Sequence, residues 1–300
     1  FSWQGGEPLL MGLGFYEKAV EMMRKYGRNG HNVSNALQTN GILLDDKWAA
    51  FFKQYSFLLG VSLDGPEPLH NKFRGNSFAK VWRGIEVLRR NNVDFNILCV
   101  VNSANAGQPK EVFDFFTKSG FEYLQFIPCM EESEEAQKSS PYTVSAEKYG
   151  EFLSGIFEEW NKTGRKMHIR IFDNILEYSM GLVPGVCQMR EKCGSYIVVE
   201  YNGDVYPCDF FVYPEWKLGN ILEKPLREII KEAKFKEFSE AKLLLNEKCV
   251  SCEIKKMCFG GCSRTRYFRN KSFSDLDYFC LRSVGNTRNL LYPPLGKGGR

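Results

Sequence analysis

Short apolar runs alternate with amphipathic segments over about the first 165 residues of the chain. The apolar runs, which predict strands, lie near residues 1–4, 32–39, 57–63, 95–101 and 123–129. Segments with helical periodicity lie between and after them, near residues 15–27, 46–54, 78–91, 109–118 and 145–163. Strands that alternate with helices of this length are typical of βαβ units, so the pattern predicts an α/β fold with a parallel sheet.

Polar and glycine-rich residues follow each of the predicted strands. They are Gly5-Gly6-Glu7-Pro8, Asn40-Gly41, Asp64-Gly65-Pro66, Asn102-Ser103 and Met130-Glu131-Glu132. Each group alone is ordinary turn chemistry. The carboxyl ends of parallel strands meet at one edge, however, and ligands bind there. Five such groups in phase therefore predict a shared ligand site. No Gly-x-Gly-x-x-Gly follows a strand, which argues against a Rossmann nucleotide site.

The first of these strand ends carries the sharpest chemical signal. Gly5 and Gly6 allow the backbone to approach a ligand closely. The carboxylate of Glu7 beside them can accept hydrogen bonds from an ammonium group. We therefore predict a pocket for the amino group of a cofactor at this position.

Eight of the ten cysteines fall between residues 187 and 280, so the last third of the chain differs chemically from the rest. Four thiolates complete one tetrahedral zinc site or one [4Fe–4S] cluster. Disulfides belong in oxidising compartments, to which nothing in the sequence points. Zinc ribbons share the Cys-x2-Cys spacing, but the tight run of Cys249, Cys252, Cys258 and Cys262 favours iron–sulfur ligation. The other two cysteines, at 99 and 129, lie in apolar runs and are predicted to be small buried hydrophobes.

Composition narrows the class of protein. Hydrophobic residues make up 43% and charged residues 25%, which is ordinary for a globular protein. No apolar run approaches the roughly 20 residues that a membrane span needs. The net charge of +4 is too small for a nucleic-acid binder unless it is clustered. Eight thiolates and two 2+ cluster cores would bring this charge to about zero, which is compatible with two clusters.

A strand that ends in Gly-Gly-Glu-Pro, an alternating β/α chain and this cysteine-rich tail resemble a radical S-adenosylmethionine enzyme with a SPASM domain. Segments 4–8, 37–41, 62–66, 95–101 and 205–210 are most similar to the anaerobic sulfatase-maturating enzymes. The resemblance implies a partial (β/α)6 TIM-like barrel that lacks its first β/α unit. A small Cys-rich SPASM iron–sulfur domain would follow it.

The resemblance also implies which residues bind S-adenosylmethionine, all at strand ends or shortly after them. They are Gln4, Gly5, Gly6, Glu7, Ser62, Arg74 and Met130. The Gly-Gly-Glu strand end would hold the methionine amino group. Ser62 and Arg74 would contact the cofactor, and Met130 would lie against the adenine.

Two auxiliary [4Fe–4S] clusters are implied in the same way. One would be bound by Cys187, Cys193, Cys208 and Cys262. The other would be bound by Cys249, Cys252, Cys258 and Cys280. Asp209, directly after one of these ligands, occupies the position of the family's general base.

The activity implied by the resemblance is oxidation of a cysteine or serine side chain in a sulfatase to Cα-formylglycine. The expected partners are an unfolded or nascent sulfatase with a Cys/Ser-x-Pro/Ala-x-Arg motif and a low-potential electron donor such as ferredoxin or flavodoxin. We expect a cytoplasmic protein that binds neither nucleic acid nor membrane. Two alternatives stay open at this point: a SPASM maturase of a ribosomal peptide, and a non-catalytic protein that binds zinc or relays electrons.

The Cys-x3-Cys-x2-Cys motif that binds the radical-generating cluster is absent from the sequence. In the family it precedes Gly-Gly-Glu-Pro, so we expect an N-terminally truncated chain that does not itself cleave S-adenosylmethionine. The expected domains are the barrel at 1–165, a connecting segment at 166–186 and the SPASM domain at 187–292. Residues 293–300 are expected to form a disordered tail.

Overall fold

A computed structural model describes residues 1–27, 30–131 and 140–280 of the chain. The chain divides into two compact units, Phe1–Phe172 and Asp173–Arg300. The predicted disordered tail at 293–300, and the end of the predicted SPASM domain, lie outside the described residues. Within the described ranges, no helix has the length and apolar character needed to cross a membrane.

A six-stranded parallel sheet forms the centre of the first unit. Its strands, in both chain order and spatial order, are β1 (Ser2–Trp3), β2 (Ala36–Thr39), β3 (Leu58–Ser62), β4 (Phe95–Val101), β5 (Tyr123–Pro128) and β6 (His168–Ile169). Parallel strands in sequential order need crossovers of one hand, which is the topology of a barrel wall. The predicted α/β class and partial barrel are therefore confirmed.

Helices connect consecutive strands of this sheet. They are α1 (Leu13–Tyr26), α2 (Asp46–Gln54), α3 (Glu67–Phe73), α4 (Phe78–Arg90), α5 (Pro109–Lys118) and α6 (Ala146–Lys162). Side chains specify two of the starts, because Asp45 accepts a hydrogen bond from Trp48 N at 2.9 Å and Ser145 accepts one from Lys148 N at 3.2 Å. Such N-cap bonds satisfy backbone donors that have no partner inside the helix.

Two elements of the first unit, α3 and β6, have no counterpart in the hydrophobic pattern. Helix α3 has seven residues, of which only two are buried, so its periodicity covers less than two full turns. Strand β6 pairs only two residues, opposite Tyr123 and Leu124. A two-residue strand is too short to show alternation, and its pairing with β5 is what defines it.

Residues of the strands and helices form a core in which Cys99 of β4 is completely buried. This burial confirms its predicted role as a small apolar residue. Cys129, just past β5, was predicted to be buried but is only half buried, so the prediction is wrong for that residue. The difference arises because β4 is a central strand, whereas residue 129 lies where the chain leaves the sheet.

Short elements dominate the second unit. Helix α7 (Arg170–Ser179) runs across the division between the units. A three-stranded antiparallel sheet follows, made of β7 (Val198–Val199), β8 (Asp204–Tyr206) and β9 (Gly219–Asn220). The helices after it are α8 (Leu226–Ile229), α9 (Ala233–Ala241), α10 (Glu247–Val250), α11 (Lys255–Cys258) and α12 (Ser263–Tyr267).

Two small apolar clusters hold these short elements together. One consists of Val205, Leu218 and Ile229. The other consists of Phe211, Trp216 and Phe238, with Cys193 and Cys208 packed against it. Cores of this size contribute limited stability, and small domains of this kind usually need metals or other cross-links as well.

Candidate functional site

The loop after β1 holds Gly-Gly-Glu-Pro in a conformation that glycine adopts readily. Gly5 and Gly6 have φ angles of +97° and +53°, in the region that other residues rarely enter. A Cβ atom built on either residue would meet no heavy atom within 4 Å. Backbone shape rather than packing therefore requires these glycines, and the open space beside them is available to a ligand.

Glu7 joins the ends of β1 and β2. Its Oε1 accepts hydrogen bonds from Thr39 Oγ1 at 2.8 Å and from Leu9 N at 3.1 Å. Its Oε2 accepts one from Asn40 N at 2.8 Å. The bond from Leu9 caps the short 3-10 helix Pro8–Met11. An ammonium group would thus add a further donor to a carboxylate that three hydrogen bonds already orient.

At the carboxyl end of β3, Asp64 and Arg74 form a bidentate ion pair. Arg74 Nε lies 2.7 Å from Oδ2 of Asp64, and Nη2 lies 3.1 Å from Oδ1. The side chain of Asp64 is 2% exposed and that of Arg74 is 28% exposed. Burial lowers the pKa of Arg74, but the hydrogen bonds and charge of Asp64 outweigh this effect and raise it. The guanidinium is therefore fixed and charged, and it remains partly accessible to a ligand.

His70 and Asn105, which were not predicted from the sequence, brace this strand end. His70 Nδ1 accepts a hydrogen bond from Asp64 N at 3.3 Å, and Nε2 lies 3.0 Å from Ser77 Oγ. Burial lowers the pKa of His70 to about 4, with the charge of Asp64 opposing it, so the imidazole is neutral at pH 7. Asn105 Nδ2 donates to the carbonyl groups of Asp64 at 3.1 Å and Val100 at 2.8 Å. These contacts link the ends of β3 and β4.

The remaining predicted cofactor residues lie at the same edge of the sheet. Gln4 directly follows β1 and is exposed, whereas Ser62 ends β3 and is half buried. Met130 comes two residues after β5 and is 2% exposed. Because parallel strands present their carboxyl ends at one edge, these three residues share that edge with the Gly-Gly-Glu loop and Arg74. Their contacts with S-adenosylmethionine stay a prediction.

Four cysteines of the second unit form what we call the first cysteine neighbourhood. Burial raises the pKa of Cys262 to about 12, and the charges of Asp277, Cys187 and Cys193 add to this effect. Burial also raises the pKa of Cys208, and the charge of Cys262 contributes to it. Cys193 and Cys208 pack against the same apolar cluster, and Cys193 Sγ lies 3.1 Å from the hydroxyl of Ser263, the residue after Cys262.

The other four cysteines form the second cysteine neighbourhood. Burial raises the pKa of Cys258 to about 12, with contributions from Asp277, Cys280 and Cys249. Burial likewise raises the pKa of Cys249, and the charges of Cys280 and Cys252 act in the same direction. The division of these eight cysteines into two sets of four, and their ligation of clusters, stay predictions.

The chemistry of both neighbourhoods fits iron–sulfur clusters. All ten cysteines lie in the described residues, and no disulfide joins any of them. A [4Fe–4S] core binds its four thiolates at four different irons, so its ligands surround a volume rather than a single ion. Two buried donors, Trp216 Nε1 and Arg266 Nε, have no hydrogen-bond partner among the described residues, and cluster sulfur accepts such bonds.

Asp209 lies beside the first cysteine neighbourhood and is oriented by Tyr196, which was not predicted from the sequence. The Tyr196 hydroxyl donates to Asp209 Oδ1 at 2.6 Å and lies 3.3 Å from Cys208 Sγ. The same sulfur lies 3.3 Å from Asp209 Oδ1. Burial, the charge of Cys208 and the bond to Asp209 all raise the pKa of Tyr196, so the phenol stays a protonated donor.

Two family models match the chain, one in each unit. The radical SAM superfamily model matches residues 1–116, and the SPASM iron–sulfur cluster-binding domain matches residues 187–253. Together with the parallel sheet, the loop after β1 and the two cysteine neighbourhoods, they define an enzyme of the radical S-adenosylmethionine class with a SPASM domain.

The chain belongs to the anaerobic sulfatase-maturating enzymes within that class, which confirms the family indicated by the motifs. It is 38% identical over 288 residues to the cysteine-type enzyme of Clostridium perfringens (strain 13 / Type A), covering 93% of this chain and 78% of the relative. It is 39% identical over 302 residues to the serine-type enzyme of Bacteroides thetaiotaomicron, covering 93% and 73%. The solved structure of native anSMEcpe with bound AdoMet and Cp18Cys peptide has a TM-score of 0.88 at 38% identity, covering 93% and 80%.

Proposed function

We propose that the protein oxidises a cysteine or serine side chain of a sulfatase polypeptide to Cα-formylglycine. The observation that carries this proposal is the 38–39% identity, over 93% of the chain, to a cysteine-type and a serine-type sulfatase-maturating enzyme. A solved relative that holds both AdoMet and a peptide supports a peptide substrate. The carboxylate of Asp209 beside Cys208 supplies chemical support from this chain's own residues.

Bound S-adenosylmethionine would supply a 5′-deoxyadenosyl radical that removes hydrogen from the substrate Cβ, while the auxiliary clusters would accept an electron. Gly5 and Gly6 leave room for the methionine amino group, and Glu7 offers it an oriented carboxylate. Arg74, held by its ion pair, would bind the cofactor as a fixed cation. Met130 would present a buried apolar surface to the adenine.

The proposed role of Asp209 is to accept the proton of the substrate S–H or O–H group. A general base must be oriented and within hydrogen-bond reach of that proton. The bond from Tyr196 orients the carboxylate, and its Oδ1 lies 3.3 Å from Cys208 Sγ. The proton and the electron of the substrate would therefore be accepted side by side. With cysteine, water hydrolyses the resulting thioaldehyde to the aldehyde and releases hydrogen sulfide, whereas serine gives the aldehyde directly.

The proposed partners follow from the same assignment. The substrate would be an unfolded or nascent sulfatase whose modified residue lies in a Cys/Ser-x-Pro/Ala-x-Arg motif. Electrons would come from a low-potential donor such as ferredoxin or flavodoxin in the cytoplasm. The test is to incubate the whole protein with S-adenosylmethionine, a reductant and a synthetic peptide that carries the motif, and to detect the aldehyde by mass spectrometry. A matched peptide with alanine at the modified position should stay unchanged, and a cross-linked peptide instead of an aldehyde would favour a maturase of ribosomal peptides.

Iron content is expected to distinguish clusters from zinc. The chain, purified without oxygen, should bind about eight irons and little zinc, because two [4Fe–4S] clusters occupy the two cysteine neighbourhoods. Cys258→Ser should lose about half of this iron. Cys129→Ser, outside both neighbourhoods, is the matched control and should keep all of it. Two zinc ions per chain would contradict the cluster assignment.

Tyr196→Phe is expected to lower kcat about 10- to 100-fold, because a hydrogen bond to a charged group contributes about 1.5–3 kcal/mol. The ring stays in place, so KM and iron content should change little. The measurement is steady-state aldehyde formation by the whole protein. Tyr201→Phe, at a tyrosine that is 99% exposed, serves as the control. A change in KM with kcat preserved would argue against a role in orienting Asp209.

A further inference from the structure

Lys242, which directly follows helix α9, is a buried cation without a carboxylate partner in the described ranges. The residue is 1% exposed. Its Nζ donates hydrogen bonds to the carbonyl groups of Cys187 and Gln188, both at 3.0 Å. Burial of an ammonium group costs several kcal/mol unless an opposite charge compensates it. The dipoles of two carbonyl groups offset only part of this cost, so other negative groups must offset most of it.

Cysteine side chains surround this lysine, and they become negative groups when they are deprotonated as cluster ligands. Burial lowers the pKa of Lys242, and negative charge around it opposes that effect. The opposing charges belong to Cys193, Cys262, Cys187 and Cys258. Three of these cysteines are in the first cysteine neighbourhood and one is in the second. Lys242 therefore lies in the electrostatic field of both.

Arg266 is a second buried cation in the same place and is also 1% exposed. Its Nη1 donates to the carbonyl group of Lys242 at 2.8 Å, and its Nη2 donates to that of Leu244. Its buried Nε has no hydrogen-bond partner among the described residues. The negative charges that act on it are those of Cys249, Asp277, Cys193 and Cys258. Arg266 thus interacts mainly with cysteines of the second neighbourhood, whereas Lys242 interacts mainly with those of the first.

The positive charges of Lys242 and Arg266 can be compared with the negative charge that two clusters would bring. Four thiolates around a 2+ core leave each cluster with about two negative charges, so two clusters bring about four into a small unit. An ammonium and a guanidinium buried among the ligands would offset about half of them. Without clusters, the same two cations would be left buried beside neutral thiols.

We propose that Lys242, assisted by Arg266, is a counter-charge built in for both auxiliary clusters and raises their reduction potentials. The inference rests on the proposed ligand sets. A nearby positive charge stabilises the cluster after it has gained an electron, so removal of that charge favours the oxidised cluster. Lys242 acts in this account as a tuning residue that touches no substrate.

The test is a potentiometric titration, followed by electron paramagnetic resonance, of the anaerobically purified chain and its variants. Lys242→Met, which removes the charge at similar length, should disfavour reduction of the first-neighbourhood cluster about tenfold, a shift of about 59 mV to more negative potential. Lys242→Arg should keep the original potential. Lys236→Met, at an exposed lysine of helix α9, is the matched control and should not shift it.

Iron analysis separates failure of this inference from failure of the proposed function. About eight irons with an unchanged potential in Lys242→Met would overturn the counter-charge while leaving the cluster assignment in place. Zinc or no metal in the unmodified chain would overturn both. If Lys242→Met does not retain iron, Lys242→Gln takes its place, because the amide can still donate to the Cys187 carbonyl group. An unchanged potential in that variant would equally count against the inference.

Discussion

Asp209→Asn is expected to reduce formylglycine formation by about 10²- to 10⁴-fold, the usual contribution of a general base. Asparagine has the shape of aspartate and can still accept the hydrogen bond from Tyr196, so the contact of 2.6 Å should persist. What is lost is the capacity to accept the substrate proton. The measurement is the yield of aldehyde per unit time from a Cys/Ser-x-Pro/Ala-x-Arg peptide with the whole protein.

Iron content and the visible spectrum of Asp209→Asn should match those of the unmodified protein, because asparagine changes no proposed ligand. Glu215→Gln removes an exposed carboxylate six residues further on and should leave the yield unchanged. An Asp209→Asn protein that keeps both its clusters and its aldehyde yield would refute the base assignment. The alternative role, in which Asp209 only shapes the loop, predicts that result.

Arg74→Met is expected to destabilise the protein by about 3–5 kcal/mol, since it leaves a buried carboxylate without its counter-charge. Asp64 is 2% exposed and would retain only uncharged donors, including Val100 N at 2.9 Å. The readout is the free energy of unfolding, measured by denaturation in urea. The same variant should also lose binding of S-adenosylmethionine, as measured by equilibrium dialysis.

A double-mutant cycle separates the ion pair from general damage at this strand end. Asp64→Asn combined with Arg74→Met removes both charges, so it should cost less than the sum of the two single changes. Lys18→Met breaks an ion pair with Glu21 in which both side chains are more than 60% exposed, and it should cost less than about 1 kcal/mol. If Arg74→Met costs no more than Lys18→Met, the buried pair does not have the proposed importance.

The parts of the fold that were predictable from sequence are those with a strong local pattern. Strand β4 begins and ends at the predicted residues because it is buried in the middle of the sheet and reads as one apolar run. The run predicted for the first strand extends over four residues, yet only Ser2 and Trp3 pair with β2. Pairing at the edge of a sheet depends on the neighbouring strand, and no local pattern in the sequence specifies it.

The site shows the same division between local and long-range information. Cysteine type and spacing are local, so the eight candidate ligands could be read directly from the sequence. Tyr196 is 13 residues from Asp209, and Lys242 is 55 residues from Cys187. Arg74 was predicted as a cofactor contact, but its ion pair with Asp64 spans ten residues and a helix. Contacts at these separations follow from how the chain folds back on itself and leave no periodic signal.

The two cysteine neighbourhoods are interleaved along the chain, because Cys262 lies after Cys258 but completes the first of them. Any contiguous segment that contains all four cysteines of one set also contains at least one cysteine of the other. A recombination event with its breakpoint between residues 208 and 249 would therefore separate Cys262 from its partners, and one between 262 and 280 would split the second set. If both ligand sets are as proposed, a chimeric enzyme keeps both clusters only when the SPASM unit is transferred as a whole, with the junction placed before residue 187.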